Sequence, residues 1–174
     1  MSRFGTLALT ILLLLVVTAP AINGHPSGKF NNSSGCSCHN NAIIEAQLSG
    51  YPTTYTAGEQ YVLAIGMSLS APAGGFSLDI DKGTLSNPST NAQVNGPQNS
   101  ATHSSSASTS WTVTWTAPSS GSGLVTISLA VLAADNMVDN TGDSSGTFSI
   151  QIAEISPNNS PQLSLSLPQS IDSS

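Results

Sequence analysis

The sequence predicts an all-β protein, an antiparallel β-sandwich of the immunoglobulin-like kind with about seven strands. Three observations carry this expectation. Apolar residues recur at every second position along most of the body. Clusters of Gly, Pro, Asn and Asp punctuate the alternating runs. No stretch joins a helical apolar stripe to capping residues.

The elements follow in order. The series opens at Ile43 to Leu48. Tyr61, Leu63, Ile65, Met67 and Leu69 then alternate with smaller residues, and Phe76, Leu78 and Ile80 alternate with Ser77 and Asp79. Trp111, Val113 and Trp115 alternate with Thr112 and Thr114, the cleanest strand in the chain. Val125, Ile127, Leu129 and Val131 share one face of a longer strand, and Phe148, Ile150 and Ile152 close the series. Alternation of this kind turns one face to a core and the other to water. The tract from Thr84 to Ser110 is polar and long for a loop. It is expected to hold one more short strand, at Ala92 to Val94, and a crossing connection. Trp111 and Trp115 share a face with Val113, which makes them core residues rather than a sugar platform.

Composition narrows the function. Of 174 residues only 7% are charged and 39% are hydrophobic, with a net charge of −6. An ordinary soluble domain carries about 25% charged residues. Here hydroxyls replace them, since more than a quarter of the chain is Ser or Thr. Arg3, Lys29 and Lys82 are the only basic side chains besides histidine, too few to neutralise a phosphate backbone, so nucleic-acid binding is excluded. No Gly-x-Ser-x-Gly elbow, P-loop, dinucleotide fingerprint or His-Glu-x-x-His is present, and the protein is read as a non-enzyme.

The ends read differently from the body. Residues 1–24 have the form of a signal peptide: Arg3, an apolar run from Leu7 to Val17, then small residues at Ala19-Pro20-Ala21 and Gly24. Residues 25–41 form an N-terminal segment containing Cys and His, residues 42–154 the sandwich, and residues 155–174 a Pro/Ser-rich tail or linker with a Leu alternation. The mature chain is expected to carry no transmembrane span and to be extracellular or at the cell surface.

Several landmarks fall in a familiar order: Gly35-Cys36-Ser37-Cys38-His39, Tyr55 to Tyr61, Gly75-Phe76-Ser77-Leu78, Thr102-His103, Trp111 to Pro118, Gly123-Leu124-Val125 and Gly142-Asp143. Together they resemble the choice-of-anchor V domain family, itself similar to the Reeler domain of animal extracellular proteins. The resemblance spans roughly residues 25–153. It implies an exported surface domain with a β-sandwich fold, joined in its relatives to varied C-terminal anchors. This chain departs from the family in its Cys-x-Cys-His cluster, where many relatives carry Cys-x-x-Cys-His.

Three chemistries fit that cluster. Cys36 and Cys38 as thioethers with His39 as an axial imidazole describe a c-type haem, whose second axial ligand is His103 or Met67. Cys36, Cys38 and His39 with His103 or His25 describe a Zn or Cu ion site. Oxidised to each other, the two thiols form a disulfide that staples the start of the domain and binds no cofactor. His25 is read as a solvated residue. A second constellation, Asp135, Asn136, Asp139, Asn140 and Asp143, offers oxygen ligands to calcium without EF-hand spacing. The sequence therefore points to a secreted or cell-surface module with a binding or structural role toward an unknown extracellular or envelope partner. The alternative is an extracellular haem electron-transfer protein.

Overall fold

The computed structural model describes residues 25–35, 42–137 and 140–155. They form two packed β-sheets with no helix among them. The strands are β1 (Ala42–Ile43), β2 (Ala46–Ser49), β3 (Thr54–Tyr55), β4 (Gln60–Met67), β5 (Ala73–Ile80), β6 (Thr84–Ser86), β7 (Ala92–Val94), β8 (Ser100–His103), β9 (Trp111–Thr116), β10 (Val125–Ala134) and β11 (Ser144–Glu154). One sheet runs β1-β11-β10-β5-β8-β7, with β3 also on β11, and the other runs β2-β4-β9-β6. Every pairing is antiparallel except those of β1 and β3 with β11.

The long strands stand where period two places them. Val125, Ile127, Leu129 and Val131 are fully buried, facing Leu63, Val113 and Trp115 from the opposite sheet. Trp115 is the centre of this core. Tyr55 meets its ring edge-on at 5.7 Å and Tyr61 stacks on it at 5.4 Å. Its indole N–H donates to the Lys82 carbonyl at 3.2 Å, so a large apolar surface is buried with its polar atom satisfied. Trp111 packs against Phe76 at 4.7 Å.

The strands beyond the expected seven are short, and each has a tertiary cause. Ile43 to Leu48 is not one strand. Ile44 still donates its N–H to the Ser145 carbonyl, after which the chain crosses to the other sheet as β2. The crossing runs against Gly146, where a Cβ would collide with the Ile44 carbonyl. The tract from Thr84 to Ser110 holds three strands, not one. Ala92–Val94 is a strand as expected, and β6 and β8 flank it, each pairing with a longer neighbour. Strands of three or four residues carry too little alternation to be read from sequence.

Candidate functional site

The strand β5 departs from the one-face-in rule. All but one residue of β5 is buried, including Ser77 on its outer face. The cover comes from residues 25–35, which cross the outside of β8 and β5 as a strap. Three consecutive strap amides donate to the side chains beneath: Asn31 to Ser100 Oγ at 2.9 Å, Asn32 to Ser77 Oγ at 3.1 Å and Ser33 to Asp79 Oδ2 at 3.0 Å. Ser100 Oγ in turn donates to Asp79 Oδ1 at 2.5 Å, which orients the carboxylate for the strap. Gln93 of β7 donates to the Ser27 carbonyl at 2.5 Å. The period-two reading places Ser77 and Asp79 toward water. They point outward as expected, but they meet backbone N–H groups instead of solvent.

His103 closes the near end of this assembly. Its ring lies over Gly75, where any Cβ would overlap it, so glycine is required there for close approach. Nδ1 accepts the Phe76 N–H at 3.1 Å, and Nε2 lies 3.3 Å from the His25 carbonyl. Both contacts are satisfied by the neutral ring with hydrogen on Nε2. Thr102 Oγ1 donates to the Phe76 carbonyl at 2.6 Å. The Thr102-His103 pair thus satisfies both backbone groups of Phe76 where β8 leaves β5. Burial pushes the His103 pKa below the usual histidine value, and the backbone contacts to Phe76 and His25 oppose this only in part.

The strap ends beside β11. Gly35 lies over Thr147 of β11, and Ala42 pairs with Ser144 of the same strand. Cys36, Cys38 and His39 lie outside the described residues. β8, which carries His103, is four strand spacings from β1, about 19 Å. Both ring nitrogens of His103 have partners, Phe76 and His25, so ligation of any metal by His103 requires one of them to leave its partner. Met67 is on the other sheet, paired with Ala46 and packed against the core. His25 is exposed, yet its carbonyl is part of the strap contact.

The acidic loop divides similarly. Asp143 is buried, and its Oδ1 accepts the Asp135 N–H at 3.2 Å, while Asp135 Oδ1 accepts the Met137 N–H at 2.9 Å. These two carboxylates turn the backbone, and Asp139 lies outside the described residues. No group of three His, Cys, Asp or Glu placed to hold a metal occurs among the described residues.

A further polar cluster, at the opposite end, has no motif to announce it. Glu154 accepts the N–H groups of Gly121 at 3.0 Å and Gly123 at 3.2 Å. Lys82 donates to the Ser122 and Leu124 carbonyls at 2.7 Å each, and the Tyr55 hydroxyl donates to the Gly123 carbonyl at 2.6 Å. The Gly121 and Gly123 amides hold the Glu154 carboxyl below the usual carboxylate range. Burial first, and Glu154 second, push the Tyr55 phenol up.

With the geometry described, comparison with known proteins adds one result. No protein-family model and no curated protein matches the chain. Among solved structures it is similar to the Reelin-N domain of F-spondin at a TM-score of 0.51 and 16% identity, over 75% of this chain and 94% of that one. It is similar to the reeler domain of human F-spondin at the same TM-score and identity, over 79% and 99%. The fold is Reeler-like. At this identity the likeness concerns architecture alone, and the Reeler-like sandwich here includes the strap as part of its covered face. No helix among the described residues is long and apolar enough to cross a membrane.

Proposed function

We propose that this protein is an exported, non-enzymatic β-sandwich module of the cell surface or extracellular space, with a binding or structural role, and that it belongs with the choice-of-anchor V proteins. The observation that carries this reading is the strap. Residues from His25 onward are tied to the sheet by backbone amides and hydroxyls, which makes the segment after the signal-like run part of the domain. A Reeler-like sandwich of low charge supports the same reading. In this reading Cys36, Cys38 and His39, which follow the strap in the chain, form a staple or cofactor site.

The test is intact mass together with a visible spectrum, on protein exported by a host able to mature c-type cytochromes. A colourless protein that begins at His25 and is lighter by two hydrogens supports the stapled module. A haem-sized mass increase with a Soret band that disappears in Cys36→Ala replaces it with electron transfer. A bound Zn or Cu ion lost in Cys38→Ser assigns the cluster to metal. A chain that keeps residues 1–24 overturns the reading of that run as a cleaved signal.

A further inference from the structure

Among the described residues, the outer edge of β11 is paired at both ends and not between them. β1 pairs with Ser144 and Ser145, β3 with Ala153 and Glu154, and no described strand pairs with that edge from Gly146 to Ile152. The Ser145 carbonyl points to this edge, since it accepts the Ile44 N–H, and so does the Ile155 N–H, which donates to the Tyr55 carbonyl. Backbone direction alternates along a strand, so Thr147, Ser149 and Gln151 direct their N–H and C=O groups outward as well. The sequence there, Thr147-Phe148-Ser149-Ile150-Gln151, has no charge, proline or bulge of the kind that protects an edge.

The window has two unlike faces. Thr147, Ser149 and Gln151 present exposed polar side chains on the outside of the sheet. Phe148 and Ile150 point inward and remain half-buried along a seam with Ile44 and Tyr51, with the Tyr51 ring 6.1 Å from Phe148. A strand filling this edge would be about five residues long, uncharged, apolar on one face and small and polar on the other. The chain contains such a segment. Leu163-Ser164-Leu165-Ser166-Leu167 alternates with period two and is bounded by Pro161-Gln162 and Pro168.

We infer that residues 163–167 of one copy add as a strand to the β11 edge of a second copy. The leucines lie beside Phe148 and Ile150, and the serines continue the polar outer face. A second copy is favoured over the same chain because β3 occupies the edge where the chain departs at Ile155. Residues 156–162 would have to pass around β3 and reverse within seven residues to bring residue 163 back to the same edge. Each copy offers one edge and one strand, so the contact is heterologous and propagates as an open chain. The inference takes its setting from the surface-module reading and gives that module a partner of its own kind.

Sedimentation velocity on the full chain and two variants tests it. The wild type is expected to associate with rising concentration. Leu165→Asp, which loses the strand, and Ser149→Pro, which blocks an outward N–H, are each expected to stay monomeric. Mixed, the two variants are expected to form a one-to-one dimer and stop, because only one edge and one strand remain intact. Association that survives Leu165→Asp overturns the proposal in favour of another surface. A monomeric wild type overturns it too. If Leu165→Asp then speeds hydrogen exchange at Ser149 and Gln151, the occupant is the chain's own strand. Ser149 and Gln151 amides already protected in the Leu165→Asp monomer show the edge covered without the tail, and sink the idea. If Ser149→Pro does not fold, Gln151→Pro replaces it. Leu165 follows the last described strand in the chain, so its variant reports in either case. None of these failures alters the mass and spectrum that test the module reading.

Discussion

The outer faces of the two sheets are built from similar strands and have opposite fates. On β4, Gln60, Val62 and Ala64 alternate outward into solvent, and Val62 is 61% exposed. On β5, the outward positions Gly75, Ser77 and Asp79 lie under the strap and His103. The cover is polar. It consists of backbone amides on hydroxyls and a carboxylate, each contributing about 0.5–1.5 kcal/mol net, or up to about 3 where the acceptor is charged. The contrast teaches that burial on both faces need not come from an apolar run. Short polar side chains with spare acceptors can recruit a segment of otherwise irregular backbone.

The comparison can be broken at its base. Trp115→Ala removes the ring on which Tyr55 and Tyr61 pack and is expected to cost about 3–5 kcal/mol, disrupting both sheets together. Urea denaturation followed by far-UV dichroism measures it. A loss confined to one sheet would mean that the sandwich is not one cooperative core.

Asp79→Ala is expected to separate the two faces. It removes the acceptor of the Ser33 N–H and Ser100 Oγ, at a cost of about 1–3 kcal/mol. Hydrogen exchange should quicken at Asn31, Asn32 and Ser33 while the β4 amides keep their protection. Equal acceleration on both sheets would show the strap to be inseparable from the core.

Acid should release the strap and the opposite loop at different pH. The folded His103 pKa lies below its unfolded value near 6.5, so the unfolded ring binds the proton more tightly. The stability from neutral His103 is present above the unfolded pKa and is lost as pH falls through the folded one. Protonation removes Nδ1 as acceptor for the Phe76 N–H and redirects it toward a Phe76 carbonyl that Thr102 already engages. Glu154 is depressed as well, so its stabilisation holds above the ordinary glutamate value and fails only below it. Exchange at Phe76 should therefore rise at higher pH than exchange at Gly121 and Gly123. His103→Gln should abolish the first event and leave the second. The reverse order would refute the assignment.

The smallest effect is expected on the bare face. Thr112→Lys on β9 places a charge in solvent and should change stability by no more than about 0.5 kcal/mol. Ser77→Lys, on the covered face, should expel the strap. If thermal melts show the two substitutions to be equivalent, the faces do not differ.

Much of the architecture was legible from residues alone. Period two over Tyr61–Met67, Phe76–Ile80, Trp111–Trp115 and Val125–Val131 is a local signal, repeated often enough to name a sandwich and its core. The order of landmarks from Cys36 to Asp143 led to a Reeler-like fold, which the similarity to the F-spondin domains bears out. His103 was legible as a candidate ligand, but not as the partner of Phe76 and His25, which are 27 and 78 positions away. Glu154 and Lys82 gave no signal, because a single charge near a glycine loop looks like any solvated residue until the strands bring them together.

The sequence by itself thus determined strand faces, core identity and fold class, since these follow from alternation along a few consecutive residues. Tertiary structure alone decided that Ile43 to Leu48 divides between two sheets and that β5 has no solvent face. Among the described residues it also left the β11 edge unpaired at its centre. Those outcomes depend on contacts between segments far apart in the chain, and no local pattern encodes which distant backbone will arrive.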